Sequence, residues 1–172
     1  MYPGAKLLRA WDPACELPDA TEVAVVCFAL GPVHTGAPRT DRDLESGFAD
    51  LDFLQTLLAL YAPQPVHVVY LSSVLALAPR RSRRYYAGWK LLVEGALDAW
   101  VARSKGASLS VVYPGRLVEK GGLRQRVHTP YSRAAELVAK MVLARRVCRR
   151  RVVGWDSRIL LFLRGLTLSR MV

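Results

Sequence analysis

Tyr86-Ala87-Gly88-Trp89-Lys90 sets a phenol and an ammonium four residues apart, a spacing that puts both on one face of a helix. A neighbouring positive charge favours a phenolate, so the spacing predicts that Lys90 lowers the pKa of Tyr86. That makes tyrosine a usable acid or base nearer to neutral pH. Ser73, thirteen residues before Tyr86, follows an apolar run and is placed to donate a hydrogen bond to a carbonyl oxygen or alkoxide. A Tyr-x-x-x-Lys alone is common on helices. The order Ser, Tyr, Lys and then a Pro-Gly after the next strand is far more specific, and here it ends at Pro114-Gly115.

These residues need elements to hold them. Val23 to Ala29 is a continuous apolar run closed by Gly31-Pro32, the pattern of a strand buried on both faces. Leu44 to Tyr61 carries Phe48, Leu51, Leu54, Leu57, Leu58 and Tyr61 at helical spacing. Val66 to Leu71 is a second β-rich run that delivers Ser72-Ser73 at its carboxyl end. After a loop over Leu77 to Arg84, Tyr85 to Ser104 reads as a helix with Leu91, Leu92, Ala96, Trp100 and Val101 as its apolar face. Leu109 to Tyr113 is a third strand. Pro130 opens a helix to about Arg146 as a first-position proline. Val152-Val153 marks a short last strand, and Ser157 to Arg170 a last helix. A further short strand, Lys6 to Trp11, is stopped by Asp12-Pro13.

Strands alternating with helices of ten or more residues imply βαβ units, hence an α/β fold with a parallel sheet and helices on both faces. Ligands in such sheets bind beyond the carboxyl ends of the strands. That rule singles out Asp12, Ala29 to Gly31, Ser72-Ser73 and Pro114-Gly115. The 172 residues suffice for one domain.

With these motifs in order, the sequence resembles the short-chain dehydrogenase/reductase family from about Glu22 to Val172. The resemblance implies a Rossmann-like sheet and an oxidoreductase that interconverts a carbonyl and an alcohol with NAD or NADP. Within it Tyr86 is the acid/base, Lys90 holds the nicotinamide ribose and tunes Tyr86, and Ser73 orients the substrate. Pro114, Gly115 and Leu117 look like the turn bordering the nicotinamide, and Glu119 to His128 like the family's substrate loop. Ala29 and Gly31 fall where the family has Asn-Asn-Ala-Gly, Asp12 where an aspartate meets the adenine, and Asp50 nearest the family's helical asparagine.

The family also opens with a strand, a glycine-rich turn and a helix whose free N–H groups bind the pyrophosphate. No such turn precedes Val23, so the sequence reads as an N-terminally truncated or degenerate single domain missing the first β-α-β unit. Binding of NAD(P) by this chain alone is therefore expected to be weak. A bare apolar edge at residues 23–29 is an aggregation hazard, so the reading expects Lys6 to Trp11, a second copy or a partner chain to cover it.

The formal charge of +11 is concentrated. From Arg124 to Val172 there are twelve Arg and Lys against two acids, Glu136 and Asp156. Such a section attracts anionic partners, and Ile159 to Leu163, Leu166 and Leu168 beside Arg158, Arg164 and Arg170 suit an anionic membrane surface. No nucleic-acid motif is recognisable. Cys15, Cys27 and Cys148 form no framework, and His34, His67 and His128 have no zinc spacing, so neither disulfides nor a metal site is expected. The start has no signal-peptide pattern and no window is apolar enough to span a membrane, which implies a cytoplasmic protein, peripheral to a membrane at most. Two functions remain open: the oxidoreductase, and a degenerate, non-catalytic binding or scaffold subunit.

Overall fold

The computed structural model describes residues 25–28, 41–62, 65–119, 128–143 and 149–169. Four strands, β1 (Val25–Phe28), β2 (His67–Leu71), β3 (Ser108–Pro114) and β6 (Arg149–Val153), form one sheet in the order β1-β2-β3-β6. Every pairing is parallel. The apolar runs at Val23, Val66 and Leu109 thus become strands as expected. The fold class read from the sequence is the one the structure has.

Side chains alternate across the pleat, and the alternation shows in the core. Val68 and Tyr70 of β2 and Val111 and Tyr113 of β3 point to one face, where they meet α1 (Asp41–Tyr61) through Leu54, Leu57 and Tyr61. On the same face α3 (Arg84–Arg103) contributes Val93, Leu97 and Trp100. Val69, Val112 and Val153 point to the other, where α4 (Tyr131–Leu143) supplies Met141, Leu137 and Val138. Helices therefore cover both faces. α5 (Trp155–Ser169) follows β6, and a two-stranded parallel ladder, β4 (Leu117–Val118) with β5 (Thr129–Pro130), sits after β3.

Several boundaries differ from the sequence reading. A helical turn, α2 (Val74–Leu77), follows Ser73 and runs up to the stretch taken as loop, Leu77 to Arg84, which itself contains a 3-10 turn at Arg81–Arg83. Ser73 caps α2, its Oγ accepting from the Leu75 N–H at 3.2 Å. That is the ordinary role of a serine at a helix start. The last strand begins at Arg149 rather than Val152, because backbone pairing with β3 holds three arginines in strand despite their low β-propensity. Pro130 pairs with Val118 in β5, and the helix starts one residue later.

The face of α3 needs a larger correction. Leu91 and Leu92 are exposed, and the buried positions are Ala87, Lys90, Val93, Glu94, Leu97 and Trp100. Two charged residues take core positions there, each with partners that the sequence alone does not name. The strand Lys6 to Trp11, the helix end beyond Leu143 and most of the Glu119 to His128 loop lie outside the described residues. So do Asp12, Ala29 and Gly31. Asp50 falls within α1.

Candidate active site at the carboxyl end of β2

Ser73 leaves the sheet two residues after β2, while Tyr86 and Lys90 lie in the first two turns of α3. The short α2 and the 3-10 turn bring the chain back, so the thirteen-residue interval closes on itself. The Ser73 hydroxyl lies close enough to the Tyr86 phenol to favour its phenolate. The Lys90 ammonium donates to the Leu71 carbonyl at 3.0 Å and lies 5.7 Å from the centre of the Tyr86 ring. It is also 5.2 Å from the Tyr70 ring, so a carbonyl and two aromatic faces receive a cation that is 5% exposed. All three side chains therefore meet at one end of the parallel sheet.

The electrostatics differ from the expected tuning. The Tyr86 pKa is raised above 10.0, burial being the largest cause, and the nearby Ser73 hydroxyl opposes it. Removing the phenol from water penalises the phenolate more than its surroundings favour it. Tyr86 is consequently neutral at physiological pH.

Behind the trio lies a network that the sequence reading missed. Glu94, 4% exposed, accepts from the Ser72 hydroxyl, from Tyr113 Oη at 2.7 Å and from Arg150 Nη1 at 3.0 Å. Arg150 also reaches Tyr113 Oη at 2.7 Å and Asp98 Oδ2 at 2.5 Å. Burial, reinforced by the Glu94 carboxylate, pushes the Tyr113 phenol up to about 12. The signal was present in the sequence: Tyr86, Lys90, Glu94 and Asp98 recur every four residues along one helix. Ser72, the residue before Ser73, belongs to the network, so the carboxylate braces the strand end that carries the trio.

Pro114, buried, ends β3 opposite Val153, and the Gly115 N–H donates to the Val153 carbonyl at 3.2 Å. A side chain at Gly115 would run into the Asp156 carboxylate and the Ser157 hydroxyl at the start of α5. Glycine is thus required by the close approach of two chain segments. Leu117 is half-buried in β4. Asp156 gathers this junction, accepting from the Arg116 N–H at 3.1 Å and the Ser157 N–H at 2.9 Å. His128 Nδ1 lies 3.0 Å from the same carboxylate.

No protein-family model and no curated protein matches the chain in sequence. Solved structures do match in shape. An acetoin dehydrogenase from Salmonella typhimurium superposes with a TM-score of 0.64 at 15% identity, covering 80% of this chain and 65% of that one. A structure described as a betaketoacyl-ACP reductase gives 0.62 at 18% identity over 79% and 68%. A short-chain dehydrogenase/reductase from Vibrio parahaemolyticus gives 0.55 at 21% identity over 73% and 59%. The chain thus spans about two thirds of the length of the structures it resembles. Parallel strand order, helices on both faces and these superpositions together give the chain the fold of the short-chain dehydrogenases/reductases.

Proposed function

We propose that the chain is an oxidoreductase that interconverts a carbonyl and an alcohol with NAD or NADP. The observation that carries this reading is the meeting of Ser73, Tyr86 and Lys90 at the carboxyl end of β2, where ligands bind in such sheets. Resemblance in fold to an acetoin dehydrogenase and a betaketoacyl-ACP reductase supports the same reaction class.

The described residues suit the nicotinamide end of the cofactor. Lys90 offers an ammonium, fixed by the Leu71 carbonyl, to ribose hydroxyls, and Pro114, Gly115 and Leu117 form the neighbouring turn. When bound, the nicotinamide supplies or accepts hydride. Ser73 orients the substrate oxygen through its hydroxyl. Tyr86, kept neutral by burial, donates its phenolic proton to that oxygen as the alcohol forms, and takes a proton back in oxidation. The Lys90 charge, close to the ring, stabilises the transient phenolate.

The test is turnover of small ketones, followed through nicotinamide absorbance with NADH and NADPH. Tyr86→Phe is expected to lower kcat by roughly 10²–10⁴-fold while leaving the circular dichroism unchanged. Equal activity in that variant removes Tyr86 as the proton donor. A second reading, a binding subunit that keeps the fold without turnover, draws support from the raised pKa of Tyr86, which disfavours a base. Absence of turnover together with absence of calorimetric NADH or NADPH binding would select it.

A further inference from the structure

A cleft of about 790 Å³ opens between α4, β6 and the start of α5, away from the Ser73–Tyr86–Lys90 cluster. Arg133, Lys140, Arg151 and Arg158 line it against a single acid, Glu136. Lys140 and Glu136 pair with each other at 2.7 Å, one helical turn apart, which leaves a surplus of arginine. Asp156, the acid in the first turn of α5, is engaged by Arg116, Ser157 and His128.

The wall of the cleft contains a second and independent feature. Thr129 is 3% exposed, and among the described residues its Oγ1 has no hydrogen-bond partner. A buried hydroxyl without a partner costs about 1–3 kcal/mol, so it marks a place where a ligand atom is wanted. Gly154, at φ +102°, packs closely here: a side chain on it would collide with that hydroxyl and with the Asp156 carboxylate. Arginines lining a cleft with a hydroxyl in its wall have the chemistry of phosphate recognition.

The surroundings indicate what carries the phosphate. Trp155 lines the cleft and is 68% exposed, and it starts a row on α5 with Ile159, Phe162 and Leu163, each more than half exposed. Their spacing of four, three and one puts them on one side of the helix. A soluble phosphate ester explains the cations but leaves this apolar row in water. A basic site edged by exposed aromatic and aliphatic side chains suits a bilayer surface, where the former meet headgroups and the latter enter the acyl boundary. No helix among the described residues is long and apolar enough to cross a membrane, so contact of this kind is peripheral. Pairing with a second copy along β6 is opposed by its arginines, since charged side chains on an outer strand resist strand addition.

We propose that this cleft seats the phosphate of an anionic lipid, with Arg133, Arg151, Arg158 and the Thr129 hydroxyl as its ligands and the Trp155–Leu163 row lying on the membrane. The test is co-sedimentation of the full chain with vesicles of phosphatidylcholine alone or mixed with phosphatidylglycerol, at low and high salt. Binding is expected only with phosphatidylglycerol, weakening as salt rises. Replacing Arg133, Arg151 and Arg158 by Gln should weaken it by roughly fivefold per arginine. Thr129→Val, which keeps the shape and removes the hydroxyl, should weaken it without altering the thermal midpoint by more than a few degrees. Phe162→Ser should weaken vesicle binding yet leave any binding of inorganic phosphate unchanged. Equal binding to both vesicle types, salt-independent binding by the unmodified chain, or an unaffected arginine variant would overturn the proposal. Saturable binding of inorganic phosphate with no vesicle binding would overturn the lipid source and assign the cleft to a soluble ligand.

Discussion

At the carboxyl end of β2 a single cation, Lys90, is withdrawn from solvent and held by a carbonyl and two rings, whereas on β6 successive cations are divided between the two faces of the sheet. Arg150 and Val152 share the face covered by α3, and there Arg150 meets Glu94, Tyr113 and Asp98. Arg151 and Val153 share the face covered by α4, where Arg151 borders the cleft. The same residue type, one position apart, is structural in one case and available to a ligand in the other. The pleat decides, because successive side chains point in opposite directions. A cation near the sheet is thus read by the partners its face supplies, not by its exposure alone.

The comparison breaks most readily at Glu94. Glu94→Ala is expected to cost roughly 3–5 kcal/mol, measured by denaturant unfolding, because it strands Tyr113, Ser72 and Arg150 without their shared acceptor. A loss below about 1 kcal/mol would mean that the network does not brace the strand end. Arg150→Ala and Arg151→Ala then sharpen the contrast. Arg150 is half-exposed, so about 1–2 kcal/mol is expected for it, against within about 0.5 kcal/mol for Arg151. Equal effects would erase the distinction between the two faces.

The amino end of β2 supplies the smallest and most graded test. His67 is buried, its Nδ1 lies 2.7 Å from Ser108 Oγ, and burial lowers its pKa below 6.5. The sheet accepts a charged Lys90 at one end of this strand and keeps His67 neutral at the other. Below pH 6.5 the unfolded chain binds the proton more tightly, so stability is complete above that pH and falls as pH drops through the folded value. His67→Asn should flatten this part of the profile of thermal midpoint against pH. An unchanged slope would place the acid sensitivity elsewhere.

Much of this was legible in the chain. The three apolar runs rich in valine are strands in the expected order, because burial on both faces of a parallel sheet calls for uninterrupted apolar, β-branched residues. The Ser73, Tyr86 and Lys90 spacing already implies three polar side chains at one sheet end, since strand end, helix start and a four-residue step are local geometry. Identification of the buried face of α3 failed for the opposite reason. Leu91 and Leu92 are more apolar than Lys90 and Glu94, and only Leu71, Ser72, Tyr113 and Arg150, distant in sequence, make burial of the charges tolerable.

The sequence by itself determined which segments could be strands, which could be helices and where charge accumulates, because periodicity and composition are properties of neighbours along the chain. Only the tertiary structure decided which charges are paired. Glu94 finds Arg150 across 56 positions, and Asp156 finds His128 across 28. It also decided the sign of the Tyr86 shift. A lysine four residues away predicts a lowered pKa, but the water excluded by the surrounding core raises it, and the extent of that exclusion is fixed by packing rather than by spacing.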